Sequence, residues 1–490
     1  MTAATVLEPP SPPRHRAAAG VPRQTVRMAW FVLASGFAFD VGLRGGVANA
    51  VAVAGGAFVV AALVTSGALP RVEARCLAVA ALLPAAFLAV RASPWLVTSN
   101  ALAAVGLVGA AVVHARSGSV LDTTPRRLAQ RAGVALSRVV TAPALLRPLA
   151  PRPSGTRADA INRVTRAVLV AAPILAVVVA LLASADAVFA NLLSPDVSPG
   201  PPLGHVALVC LFGFGVLCVV AAASGDADDE IPSGRFGTIE IATMLALAAF
   251  VMGLFVVSQL VALTSAGHRL IDSAGLTPAV YARSGFFQLC WATGVLVGFL
   301  ALVRSLAAPG VLAHPVVRRL AGLVPVLALG LVAVSLRRMA LYDQAFGLTM
   351  LRLWVIGAAA WMGSVLLLVA ARNLDARAGR DWVVGGAGAV ALALLVVANL
   401  ANPEAFIVNH NVGRAAAGTA LDDAYLGQLS ADAVPAIVDV AATTEDAALQ
   451  ARLLDAIGCG SDRHGAAALN VGEARAVAAR RDACAARAST

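Results

Sequence analysis

Lysine is absent from this chain of 490 residues, so all 37 basic side chains are arginine. That excludes a phosphate-binding loop of the Walker A type and any Schiff-base chemistry, because both need the ammonium group. Charge is scarce as well. Asp, Glu and Arg make up 13% of the chain, against about 25% in a soluble domain. The seven histidines are scattered. No H-E-x-x-H, G-x-S-x-G, C-x-x-C or strand-following G-x-G-x-x-G occurs, so no metal, cofactor or nucleophile motif is written in the chain. Internal repeats and heptad runs are also missing.

What fills the chain instead is apolar: 59% of residues are hydrophobic. They fall into successive stretches of about twenty residues, each long enough as a helix to cross a hydrocarbon core of about 30 Å. We place about eleven spans, near 27–43, 46–66, 74–91, 94–113, 165–184, 203–223, 238–263, 285–304, 320–337, 352–371 and 383–400. The expected fold class is therefore all-α, a polytopic transmembrane helix bundle with a small C-terminal helical soluble domain. Residues 1–24 read as a disordered cytosolic tail, 25–113 as a four-span bundle and 114–164 as an Arg-rich cytoplasmic segment. Residues 165–400 read as a seven-span bundle and 401–490 as the soluble domain.

The net charge of +10 does not point to nucleic acid, because the arginines gather between the apolar runs. Short cytoplasmic loops hold excess basic residues in membrane proteins. Segment 114–164 holds nine arginines against Asp122 and Asp159. The tail (Arg14, Arg16, Arg23), Arg71 and Arg75, Arg318 and Arg319, and Arg372, Arg377 and Arg380 fall on the same side. This places the N-terminus in the cytoplasm and the C-terminal domain outside, in a bacterial plasma membrane. The acidic loop from Gly225 to Gly237 lies on the inner side, where acids weigh little.

Within 401–490, Ser430 precedes an Ala/Val helix over 431–441. Thr444 is placed to cap a helix over 445–457 that Gly458 ends, with Leu449, Leu453, Leu454 and Ile457 on its buried face. Cys459 and Cys484 are the two cysteines of this domain; in an oxidising compartment they form a disulfide closing a loop of about 25 residues. Zinc ligation by Cys459, His464 and Cys484 matches no standard spacing. Cys76, Cys210, Cys218 and Cys290 lie in or beside spans as small apolar residues.

The sharpest polar signal runs from Arg337 to Arg352. Arg337 and Arg338 end the ninth span, where a helix C-terminus favours cations. Arg338 and Tyr342 share a face one turn apart. Gly347 can stop that helix and Thr349 can cap the next, which leaves Arg352 at the positive end of a dipole and in need of a partner. Asp343 is one candidate partner and an anionic headgroup or phosphate-bearing ligand is another. Two readings stay open here, a structural ion-pair network and an anion site to which Tyr281 and Arg283 add a second arm. Ser184 and Asp186 read as a helix cap, and Glu240 as the acidic first turn of the seventh span. Asn402, Glu404, Asn409, Asn411 and Arg414 are expected to hydrogen-bond the junction between membrane and domain. The deep membrane is nearly free of ionisable residues, which disfavours a coupled pump.

Several segments together resemble a bacterial membrane family catalogued as domain of unknown function 4153/4173. They are Ser184–Ala190, Phe255–Leu260, Tyr281–Gln288, Arg337–Arg352, Asn402-Pro403 and Tyr425–Pro435, and the likeness covers roughly residues 165–475. After Leu260 the chain reads Val261-Ala-Leu-Thr-Ser-Ala-Gly267 and departs from the family pattern. The resemblance implies a membrane fold and transfers no catalytic residue. The expected partners are the lipid bilayer and an anionic lipid or envelope protein. An interaction or regulatory protein is the first functional reading. A transporter or flippase for an anionic or lipid-linked solute is the second, and a membrane enzyme acting on lipid headgroups, with Asp343 or Glu404 as base, is the third.

Overall fold

A computed structural model describes residues 48–116, 118–138, 236–262, 286–374, 382–419, 421–458 and 470–489, with isolated positions in 29–37 and 209–223. The helices before the C-terminal domain are α1 (Ala48–Thr65), α2 (Val72–Ala80), α3 (Leu82–Phe87), α4 (Pro94–Val113), α5 (Pro125–Arg138) and α6 (Thr238–Ala262). They continue with α7 (Phe286–Leu306), α8 (Pro315–Phe346), α9 (Met350–Leu374) and α10 (Val383–Ala401). Five of them, α4, α6, α8, α9 and α10, are long and apolar enough to cross a membrane, and α1 and α7 contain shorter apolar helical stretches. The expected spans near 27–43, 165–184 and 203–223 lie wholly or mostly outside the described residues.

The outward side chains match a lipid solvent. On α6, Leu247, Phe250 and Leu254 are 62%, 69% and 61% exposed. A water-soluble fold would bury such a face. Inside, α8 packs on α6, α7 and α9, and α9 packs on α10. Ile241, Leu245, Val317, Val324, Ala328 and Leu366 form that core. A second core joins α1, α2 and α4 through Leu63, Ala74, Ala78 and Ala111.

The expected third span is not one straight helix. It breaks at Ala81 into α2 and α3. Pro84 removes a backbone donor and crowds the carbonyl of Ala80. The chain then leaves α3 through a run of tight turns, Leu88 N–H to Ala85 O, Ala89 N–H to Ala86 O and Val90 N–H to Phe87 O. Segment 72–91 still carries the chain from one end of the bundle to the other. At its start Glu73 accepts hydrogen bonds from the Ser119 hydroxyl and Val120 N–H, beyond the C-terminus of α4. At its finish the Arg91 guanidinium donates to Asn399 O in the last turn of α10.

The described helices therefore alternate between two ends. One end bears Arg91–Ser93, the α8–α9 turn, the C-terminus of α10 and the C-terminal domain. The other bears residues 114–138, Phe236 bonded to Leu306 and Ala308, and Arg304 and Ala321 bonded to Asn373. Arg71, Arg116, Arg318, Arg319 and Arg372 stand near this second end in the chain order of the helices.

The C-terminal domain comprises α11 (Pro403–Ala416), α12 (Asp423–Leu426), a 3₁₀ turn (Ala431–Ala433), α13 (Val434–Thr443), α14 (Ala447–Ile457) and α15 (Val471–Ser489). Its core holds Val408, Leu426, Ile437, Leu453 and Ala476. Leu449, Leu453 and Ile457 are buried as the spacing predicts, and Leu454 is half-buried. Two expectations need correcting. The cap of α14 is Asp446, whose carboxylate accepts from Ala448 and Leu449 N–H, in place of Thr444. The expected 431–441 helix is a Ser430-capped 3₁₀ turn followed by α13. A carboxylate so placed caps more strongly than a hydroxyl, because it also meets the positive end of the dipole.

Candidate functional site

Two polar clusters occupy the domain-bearing end of the bundle. The first is built on the turn between α8 and α9. Gly347 ends α8 at φ 73°, and a Cβ there would stand 2.7 Å from Asn411 Oδ1 and 2.8 Å from the Arg414 guanidinium. Both the left-handed backbone and the lack of space call for glycine. Asn411, on α11, brackets Leu348. Its Oδ1 accepts from Leu348 N–H at 2.8 Å and its amide donates to Leu348 O at 2.9 Å. The Tyr425 hydroxyl accepts from Met350 N–H at 2.7 Å, one of the orphan donors at the start of α9. Burial raises the Tyr425 pKa above its usual value.

Thr349 caps α9 toward Arg352 N–H. The Arg352 side chain turns back to α8, donates to the carbonyls of Phe346 and Gly347, and lies 4.3 Å from the Tyr342 ring centroid. Arg352 is thus satisfied by the negative end of the preceding helix and by a π face. The expected candidate partner, Asp343, is engaged elsewhere: its carboxylate faces His410 Nε2 at 3.0 Å. Tyr342 and Asp343 are consecutive on α8 and so point about 100° apart around the helix, toward different neighbours, which is why the sequence could not choose between them. Arg337 is exposed and Arg338 half-buried on α8. Arg414 donates to Gln344 O. Tyr281, Arg283, Ser184 and Asp186 lie outside the described residues. Glu240 is exposed in the first turn of α6.

The second cluster joins the domain to the segment before α4. Asp432 is 4% exposed, and its Oδ2 accepts from both Ala92 N–H and Ser93 N–H at 2.9 Å. It therefore serves the start of α4 from 339 positions away. Gly472 packs so closely that a Cβ would meet Asp432 Oδ1 at 2.4 Å. The adjoining Asn470 amide donates to Leu88 O and Arg91 O, while Val471 and Gly472 N–H donate to Ala89 O and Val90 O. Beside this, Glu404 is 2% exposed, and its Oε2 accepts from Ser430 N–H at 2.8 Å and the Ser430 hydroxyl at 2.7 Å. Burial raises the Glu404 pKa; hydrogen bonds from Ser430 oppose the shift and the Asp432 charge adds to it.

Asn402, at φ 50°, turns the chain from α10 into α11. Its Oδ1 accepts from Ala405 N–H and its amide donates to Asp432 O. Just inside the bundle, Asn100 and Asn399 are fully buried and exchange amide hydrogen bonds of 2.8 and 2.9 Å. Sequence reasoning singled out Asn402, Glu404, Asn411 and Arg414 for this junction but missed Arg91, Ser93, Asn100, Asp432 and Asn470. An aspartate before Ala-Val-Pro and an arginine before Ala-Ser-Pro at a helix start were the available signals. Neither names a partner hundreds of residues away.

Cys484 is disulfide-bonded, and Cys459 lies outside the described residues. Cys76 is a free, exposed thiol. No group of His, Cys, Asp and Glu suited to hold a metal ion occurs among the described residues.

No curated protein and no solved structure matches the chain. The pattern that defines the Domain of unknown function (DUF4153) matches residues 77–440. The likeness therefore begins well before residue 165, inside the broken third span, and takes in the 88–93 segment that the domain grips. It stops within α13, short of residue 475. With a match over most of its length, several membrane-length apolar helices and an all-α fold, the chain belongs to the DUF4153 family.

Proposed function

We propose that this protein is a non-enzymatic, multi-pass plasma-membrane protein whose helical C-terminal domain stands outside the cell and serves interaction or regulation in the envelope. The observation that carries this reading is the commitment of the junction's polar groups to one another. Arg352 is held by helix carbonyls and Tyr342, Asp343 by His410, Glu404 by Ser430, and Asp432 by the start of α4. Such an arrangement mounts a domain on a bundle. It leaves these arginines and carboxylates without the open valences that anion transport or headgroup chemistry requires. The gathering of arginines at the opposite end supports a cytoplasmic location for that end.

Labelling of intact cells with an impermeant maleimide tests the orientation. Labelling of Cys484 only after reduction is the expected result and would support pairing with Cys459 in an oxidising compartment. Labelling only after lysis, without reductant, would place the domain in the cytosol and overturn the reading.

A further inference from the structure

Glu404 and Asp432 are two buried carboxylates on neighbouring elements, and among the described residues neither has a basic partner. Their carboxyl groups meet N–H and O–H groups: Ser430 and the Ser93 hydroxyl for Glu404, and the Ala92 and Ser93 N–H groups for Asp432. Burial of Glu404 and the neighbouring Asp432 charge both disfavour ionisation of Glu404. The hydrogen-bonding duties of the two carboxyl groups differ. Asp432 serves two helix-start N–H groups and gains from the dipole of α4, so its charge is useful. Glu404 serves Ser430, which a neutral carboxyl's carbonyl oxygen can equally satisfy.

We propose that Glu404 is a proton-operated catch: the domain holds the Leu88–Ser93 segment firmly when Glu404 is neutral and loosens its hold when Glu404 ionises. The groups around it define the switch. Ser430 and Asp432 face it from the 3₁₀ turn, Ser93 from the segment before α4, and Tyr425 from α12, itself near Arg352. Of these, Asp432 supplies the opposing charge and also makes the grip, so ionisation of Glu404 acts on the group that binds Ala92 and Ser93. The burial-raised pKa of Glu404 sets the sign. A group that binds its proton more tightly when the catch is closed stabilises closure fully below the usual glutamate range. That contribution declines as pH rises and is lost by the raised value.

This inference rests on the proposed regulatory role, but its test does not depend on which side of the membrane the domain occupies. Amide hydrogen exchange is measured on the full chain in lipid nanodiscs near pH 4.5 and near pH 8, corrected for intrinsic rates. Opening at Ala92 and Ser93 should increase across this range, by at most about tenfold per pH unit, since one proton is involved. Exchange in the middle of α8 and α9 should not change. The E404Q variant imitates the neutral acid and should stay protected at both pH values, with the α8 and α9 amides reporting that it is folded. A wild-type protein with pH-independent protection at Ala92 and Ser93 would overturn the proposal, as would an E404Q variant that keeps the wild-type pH response. A cytosolic domain in the labelling experiment, with the exchange result intact, would instead remove only the envelope setting.

Discussion

Replacing Asp432 by alanine tests the central contact of the junction. The two bonds from Ala92 and Ser93 N–H are each 2.9 Å long and end on the same carboxylate oxygen. Ser93 is fully buried and Asp432 nearly so, so water cannot readily replace the lost acceptor. Leaving a buried N–H unpaired costs about 1–3 kcal/mol. Two such groups, less the desolvation no longer imposed on the carboxylate, put Asp432→Ala at about 2–4 kcal/mol of destabilisation. Asp432→Asn should cost only about 1 kcal/mol, because one amide oxygen can accept both bonds and only the charge assistance is lost. Denaturant unfolding in detergent micelles, followed by proteolytic release of the C-terminal domain, measures both variants. If Asp432→Ala lies within about 0.5 kcal/mol of wild type, or if the asparagine is as damaging as the alanine, the domain is not held to α4 through this carboxylate.

Three further outcomes follow from the same geometry. Gly472→Ala should destabilise the domain contact by about 1–3 kcal/mol, since its methyl would displace the Asp432 carboxylate; an unchanged unfolding midpoint would contradict the close approach. Arg91→Leu should cost about 1.5–3 kcal/mol, as a charged donor is removed from the Asn399 carbonyl, and domain release in the same proteolysis assay measures it. For Asn100 and Asn399, a double-mutant cycle to alanine should yield a coupling of about 0.6 and at most about 1.7 kcal/mol, the range for hydrogen bonds between membrane helices. Strictly additive single-variant effects would show that the reciprocal amide pair contributes no coupling.

Hydropathy made the all-α, many-span architecture legible because a helix in lipid must be apolar over its whole circumference and of membrane length. Arginine placement grouped the loops by end for an equally local reason: each charge marks its own loop. Gly347, Thr349 and Gly458 were readable as punctuation, since a cap depends on residues within one turn. Local rules fared worse where two capping residues lay close together. Thr444 and Asp446 both suit an N-cap, and packing of α14 selected the second. They also read segment 74–91 as one helix, although Pro84 interrupts its backbone bonding.

The sequence by itself thus determined the helical fold and the membrane-length apolar helices, because these depend on composition and short-range periodicity. Only the tertiary structure decided the partners of the polar side chains. Arg352 met carbonyls and Tyr342 instead of Asp343, Asp432 reached the start of α4, and Asn470 bonded Leu88 from 382 positions away. Hydrogen-bond choice depends on positions set within a few tenths of an ångström, and those positions come from the packing of helices distant in the chain. No local pattern carries that information.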